Sequence, residues 1–270
     1  FTRYDFPQSL SPGLAIYCVL EGGKDMKLTQ EQVWFFEHNG FVVLPYRLPE
    51  STVEKIRQVV LRDIEAAKEP IGHDEDGNVH RLSNILDRDP IFWETATDPA
   101  LLDGLESLIG PNIEVIRNRH NHVMLRTARG GHVYMHRDAF NWTASCVSVI
   151  MYLEETNLDN GCTEVVPGTN HLPYAELPLE ENEKILRSGL LDQHVRVPMK
   201  VGGILALNSM TFHSQGPNFT ERSRMSITIG YQGANELCGV EDPKSTVVRG
   251  ENRYRGNDRG RTGGRISAKA

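Results

Sequence analysis

From Ile113 onward the chain breaks into short runs of β-branched and aromatic residues, each stopped by turn formers, and this texture constrains the fold more than any other feature. The runs fall near 113–118, 121–127, 133–138, 145–153, 162–166, 193–198, 203–208 and 224–231. Lengths and punctuation of this kind belong to strands joined by tight turns. Eight short strands after a helical start predict two facing antiparallel sheets with helices packed outside. The expected fold class is mainly β with flanking helices, a double-stranded β-helix (jelly roll, cupin-like). One helix is expected to interrupt the strands at "LEENEKILRSG".

The first third reads differently. In "LTQEQVWFFEHNG" Thr29 can cap a helix, Gln32 completes a capping box and Gly40 ends it. Trp34, Phe35 and Phe36 are expected to pack that helix onto the core. "FVVLP" follows as a short strand. In "PESTVEKIRQVVLRDIEAAKE" Val53, Ile56, Val60 and Ile64 recur at helical spacing, so one face packs and the other is solvated. Residues 70–90 read as a polar loop, and "DPALLDGLESLIG" as a helix capped by Asp98 and closed by Gly110. The organisation expected is an irregular arm over 1–27, a single domain over 28–240 and a basic Gly/Arg-rich tail over 241–270.

Charge narrows the partners. The net charge of −7 argues against general affinity for nucleic acid, although the tail from Lys244 onward holds eight basic and two acidic residues. A solvated tail is the plain reading; an arm folding over an anionic substrate or a partner subunit is the sharper one. No apolar run approaches the roughly 18 residues needed to span a bilayer, so no membrane partner is expected. The four cysteines, Cys18, Cys146, Cys162 and Cys238, form no C-x-x-C pair, which fits reduced thiols in a cytoplasmic protein. A monomer or a homodimer is expected.

The stretch "GGHVYMHRDAF" carries the chemistry. As a kinase catalytic loop, "HRD" would need a Gly-rich loop, a strand lysine and a downstream D-F-G, and none stands in order. As a metal site, His136 and Asp138 lie two apart on an expected strand and so project from one face. A catalytic iron(II) needs two histidines and a carboxylate on one side, with open positions on the other. His213, in "TFHSQGPNFTERSRMSITIGY", offers the third ligand. Arg224, eleven residues on, offers a planar fork for the far carboxylate of a chelated 2-oxo diacid.

With these pieces the chain resembles the phytanoyl-CoA dioxygenase (PhyH-like) family of Fe(II)- and 2-oxoglutarate-dependent oxygenases, from about Leu28 to Tyr231. "LTQEQVWFFEHNGFVVLP" is similar to the family's opening helix and strand, "HRD" to its H-x-D, "NGCTEVVPGTNH" to its N-G-x-x-x-x-x-P-G-S-H turn, and "FHSQGPNFTERSRMSI" to its distal His and Arg segment. The resemblance implies that His136, Asp138 and His213 hold iron and that Arg224 binds the C5 carboxylate of 2-oxoglutarate. It also implies that Thr163 adds a hydroxyl toward the co-substrate, and that Asn121 and Arg126 direct polar groups toward the oxoacid or the substrate. Where relatives place a small hydroxyl residue two after the distal His, this chain has Gln215, and Ser214 is the substitute considered. Related halogenases lack the carboxylate, so Asp138 speaks against halogenation.

The implied reaction couples oxidation of an unactivated C–H bond by O2 to conversion of 2-oxoglutarate into succinate and carbon dioxide. Hydroxylation of a small molecule in a biosynthetic pathway is the leading expectation. Desaturation, cyclisation or epimerisation are the alternatives within the class. A non-catalytic metal-binding jelly roll and a dioxygenase without co-substrate are the competing readings. A lone histidine is more often structural than a ligand, and this applies to His120, His122 and His132; His132 is also considered as a pocket residue, and Trp142 as core or substrate wall.

Overall fold

The computed structural model describes residues 26–118, 120–126, 128–131, 133–138, 146–172, 184–185, 187–234 and 245–251. Helix α1 (Gln30–Asn39) starts with the expected capping box, in which Thr29 and Gln32 each accept the other's backbone N–H. It ends on Gly40, whose φ of 80° is left-handed backbone that glycine adopts without strain. Phe36 is buried and Phe35 half-buried, but Trp34 is exposed, contrary to the packing expected of it. Strand β1 (Phe41–Val43), helix α2 (Glu50–Glu65), strands β2 (Ile71–His73) and β3 (Val79–Ser83), and helices α3 (Pro90–Ala96) and α4 (Pro99–Ile109) follow. The β2–β3 hairpin stands where a polar loop was expected. Its turn is made by Asp74, whose carboxylate accepts the N–H groups of Asp76 and Asn78, and most of its side chains are polar, so no apolar alternation marks it. Helix α3, also unforeseen, is short and capped by Asp89.

The remaining strands are β4 (Ile113–Ile116), β5 (His122–Arg126), β6 (Val147–Tyr152), β7 (Thr163–Val165), β8 (Val195–Val197), β9 (Ile204–Asn208), β10 (His213–Gln215), β11 (Arg224–Gly233) and β12 (Ser245–Arg249). The larger sheet runs β1-β9-β6-β11-β5-β3-β2, with β4 pairing the far half of β11 and β12 pairing β4. The smaller runs β10-β7-β8, and all pairings are antiparallel. Two facing antiparallel sheets with helices outside form the expected jelly roll. Strand β12 falls within the segment expected to be a free tail. It is tied down because Arg249 pairs with Asp103 and Glu106 of α4. The expected strand at 133–138 is reduced to one bridge, in which His136 and His213 exchange backbone hydrogen bonds at 2.9 Å. Most of "LEENEKILRSG", the arm up to residue 25, the tail beyond 251, His132 and Trp142 lie outside the described residues.

Strand alternation sorts side chains into two layers. On β6, Val147, Val149 and Met151 join the core beneath the helices, while Ile150 and Tyr152 face the smaller sheet. On β11, Met225, Ile227, Ile229 and Tyr231 take the helix side, which leaves Arg224, Ser226 and Thr228 on the inner face. Phe41, Leu205, Leu207, Val165 and Val197 fill one part of the space between the sheets. Polar groups occupy the rest, around a cavity of about 400 Å³.

Candidate metal centre and co-substrate pocket

His136, Asp138 and His213 meet at this cavity, each offering one ligand atom, and these atoms lie within 4.8 Å of one another. Asp138 Oδ1 is 3.7 Å from His136 Nε2 and 3.5 Å from His213 Nε2. Strand β10 carries His213, and its backbone bridge to His136 sets the two rings with centroids 4.5 Å apart. His136 Nδ1 donates to Tyr134 O at 3.0 Å and His213 Nδ1 to Thr211 O at 2.9 Å. A carbonyl only accepts, so both rings carry a proton on Nδ1, and Nε2 is the atom each turns toward Asp138. Ligands of an ion bound at about 2.1 Å stand roughly 3 Å apart when adjacent. The three donors need little contraction to fit an iron(II) ion.

The electrostatics suit the same purpose. Burial alone would push the Asp138 carboxyl up, but His213, His120 and the Ser148 hydroxyl outweigh it and hold it well below the usual carboxylate range. Burial, then the neighbouring His213, lowers the pKa of His136. In His213 burial opposes the charge, yet Asp138 prevails and the pKa is raised. The ring of His120, whose backbone φ of 49° is unusual for a non-glycine residue, stands 3.9 Å from Asp138. Arg137, between the two proximal ligands, donates to Thr169 O and lies over the Phe212 ring, which ties the H-x-D segment to the turn at 167–171 and to the strand entering His213.

Thr163 lines the cavity and its hydroxyl is 2.6 Å from that of Tyr152, which is fully buried. Arg224, only 3% exposed, is not on the cavity wall. It stands beside Tyr152, and donates through Nε to Asn160 O at 3.0 Å and through Nη2 to Gly161 O. Gly161 has φ 79°, and a Cβ there would meet Gly216 O at 2.3 Å, so this turn can close only on glycine. Arg126 pairs with Arg224 across β5 and β11, and donates to Gly130 O and Gly216 O.

One expected site residue is turned away by the alternation of its strand. Asn121 has the parity of the core residues Val123 and Leu125; its Oδ1 accepts from Leu86 N–H and its Nδ2 donates to Arg117 O, so it staples a turn instead of reaching the oxoacid. Ser214 lines the cavity between His213 and Gln215, but its hydroxyl is engaged elsewhere, donating to Glu164 at 3.1 Å. His122, the neighbour of Asn121, lines the cavity, and so does Gln215, which pairs with Thr163. Ser148, Tyr152 and Arg81 were not foreseen at all. The alternation within "CVSVIMY" was the available signal for the first two.

Among known proteins, the chain matches the family model described as Phytanoyl-CoA dioxygenase (PhyH) over residues 36–226. It is 24% identical over 260 residues to a probable phytanoyl-CoA dioxygenase of Caenorhabditis elegans, covering 82% of this chain and 80% of that protein. Its fold is similar to iron-bound EctD from S. alaskensis, with a TM-score of 0.69, 20% identity, and coverage of 86% and 90%. It is also similar to the non-heme alpha ketoglutarate dependent epimerase SnoN from nogalamycin biosynthesis, with a TM-score of 0.67, 18% identity, and coverage of 82% and 98%. The model spans the H-x-D pair, the distal histidine and the arginine, and the chain belongs to the phytanoyl-CoA dioxygenase family.

Proposed function

We propose that this protein is an Fe(II)- and 2-oxoglutarate-dependent oxygenase whose metal ligands are His136, Asp138 and His213. The observation that carries the reading is the convergence of three ligand atoms within 4.8 Å, with both imidazoles fixed by backbone carbonyls in the tautomer that leaves Nε2 free to ligate. When bound, iron(II) with 2-oxoglutarate and O2 supplies an oxidant able to break an unactivated C–H bond, with release of succinate and carbon dioxide.

The chain's own residues do the rest. Asp138 stays ionised and offsets the charge of the metal. Ser148 donates to that carboxylate and orients it. Arg224 stands behind the wall residue Thr163 and the Tyr152 hydroxyl bonded to it, from where its free donors are expected to reach the far carboxylate of the oxoacid, with Arg126 as a second cation beside it. Thr163 and Tyr152 supply hydroxyls at the same end. Met124, Val133 and Ile150 form apolar walls that exclude water and hold the substrate. The pose they impose decides the outcome, hydroxylation being the one favoured over epimerisation, cyclisation or desaturation.

The substrate is a small molecule. The buried free thiols of Cys146 and Cys162 suit a reducing compartment such as the cytoplasm. Among the described residues no helix is long and apolar enough to cross a membrane. The test is succinate release from anaerobically loaded protein given O2, comparing wild type with His136→Ala and Arg224→Ala. Loss in both variants is expected. Turnover that survives Arg224→Ala would remove 2-oxoglutarate from the scheme, and an iron-loaded wild type that is silent with broad substrate mixtures would remove catalysis.

A further inference from the structure

The cavity wall beyond the metal tripod carries a charge opposite to that of the chain. The sequence is −7 overall, yet the Asp, Glu, Lys and Arg side chains lining the cavity are Arg81, Arg137 and Asp138, and Asp138 is committed to the metal position. Arg137 is bound to Thr169 O and stacked on Phe212, so it is part of the wall. Arg81 differs. Its neighbour Leu82 enters the core, and alternation therefore turns Arg81 to the inner face, opposite Met124 of β5.

The Arg81 guanidinium donates to His122 Nδ1 at 3.2 Å and meets no carboxylate among the described residues. Because Nδ1 accepts, the proton of the neutral His122 ring is on Nε2, which makes that atom a donor. The ring is kept neutral because burial, then Arg81 and His120, push its pKa down to about 3. A cation and an N–H donor thus share one wall, and among the described residues no carboxylate pairs with the Arg81 guanidinium. Such a wall concentrates anions from solution.

We propose that Arg81 and His122 form a receptor for the anionic group, carboxylate or phosphate, of the substrate, and that the protein oxidises small acids in preference to neutral molecules. The meaning of "substrate" rests on the oxygenase reading; the anion binding itself does not. A cavity of about 400 Å³ is near the lower end of small-molecule sites and takes the co-substrate as well, so the acid is compact. An anchor at this wall also fixes which C–H bond faces the metal position.

The experiment titrates protein loaded with iron(II) and 2-oxoglutarate under argon with cyclohexanecarboxylate, cyclohexyl phosphate and the neutral cyclohexanecarboxamide, read by calorimetry. Wild type is expected to bind at least one anion about tenfold or more tighter than the amide. Arg81→Gln should abolish that preference and Arg81→Lys keep part of it, while the Kd for 2-oxoglutarate stays within about twofold. The anion favoured separates an organic acid from a phosphate ester. A wild type that binds the amide equally well, or none of the three, overturns the proposal, as does an Arg81→Gln variant that retains the preference. Loss of 2-oxoglutarate binding in Arg81→Gln would assign Arg81 to the co-substrate and overturn it too. If wild type takes up no iron or 2-oxoglutarate, the oxygenase reading falls; the same titration on metal-free protein still decides the receptor.

Discussion

Two arginine sites of this molecule are held in opposite ways. Arg88, beneath α2 and the β2–β3 hairpin, donates to the carbonyls of Ser83, Lys68 and Pro70 and to the Asp63 carboxylate at 3.2 Å. Its charge and its donors are satisfied inside the fold. Among the described residues Arg224 and Arg126, directly opposite each other on neighbouring strands, donate only to backbone carbonyls, with the Glu154 carboxylate acting on Arg224 without pairing to it, and Arg126 Nε is buried without a partner. Like charges at such positions repel. Burial, and for Arg224 the adjacent Arg126 as well, lowers the pKa of both. The first region pairs its arginine with a carboxylate; in the second, among the described residues, no carboxylate forms an ion pair with either arginine.

That contrast can be broken at its strongest point by Arg88→Met. Asp63 keeps Arg62 at 2.8 Å, but the carbonyls of Ser83, Lys68 and Pro70 lose their donor, and a loss of about 1–3 kcal/mol is expected in denaturant unfolding. The folded fraction should bind 2-oxoglutarate as wild type does. Arg224→Met should show the reverse: a change in stability below about 1 kcal/mol, and a Kd for 2-oxoglutarate weakened roughly tenfold to a hundredfold. Equal destabilisation by the two substitutions would erase the distinction.

Smaller effects sharpen it. Ser148→Ala removes the hydroxyl that donates to Asp138, and iron(II) affinity by chelator competition should fall about tenfold, the low end for partners that orient a metal ligand. The last effect is a pH dependence. Burial raises the Asp63 carboxyl, but Arg62 and Arg88 outweigh it, so its folded pKa lies below the ordinary 3.8. The stability it contributes is therefore present above about pH 4 and is lost as pH falls through the folded value. Asp63→Asn should flatten the unfolding profile in that acid range, and an unchanged acid slope would show that the Asp63–Arg88 pair contributes nothing there.

Local signals were the readable part of the chain. Thr29, Gln32 and Gly40 bound α1, and Asp98 and Gly110 bound α4, because caps act within one turn. The spacing of His136 and Asp138 expresses a geometry that two neighbouring residues can encode between them. Other features were decided at a distance. The β2–β3 hairpin is polar in sequence and exists because β3 pairs with β5. Strand β10 has three residues and is a strand only through β7.

Thus the sequence by itself determined the jelly-roll class, the capped helices and the residue types of a metal site, since composition and periodicity are carried by neighbours along the chain. Tertiary structure alone decided which members of each strand face inward. A shift of one residue exchanges the faces, so His122 reaches the cavity while its neighbour Asn121 does not. It also placed Arg81 beside His122 and Arg224 opposite Arg126, because those relations are set by pairings between strands distant in the chain.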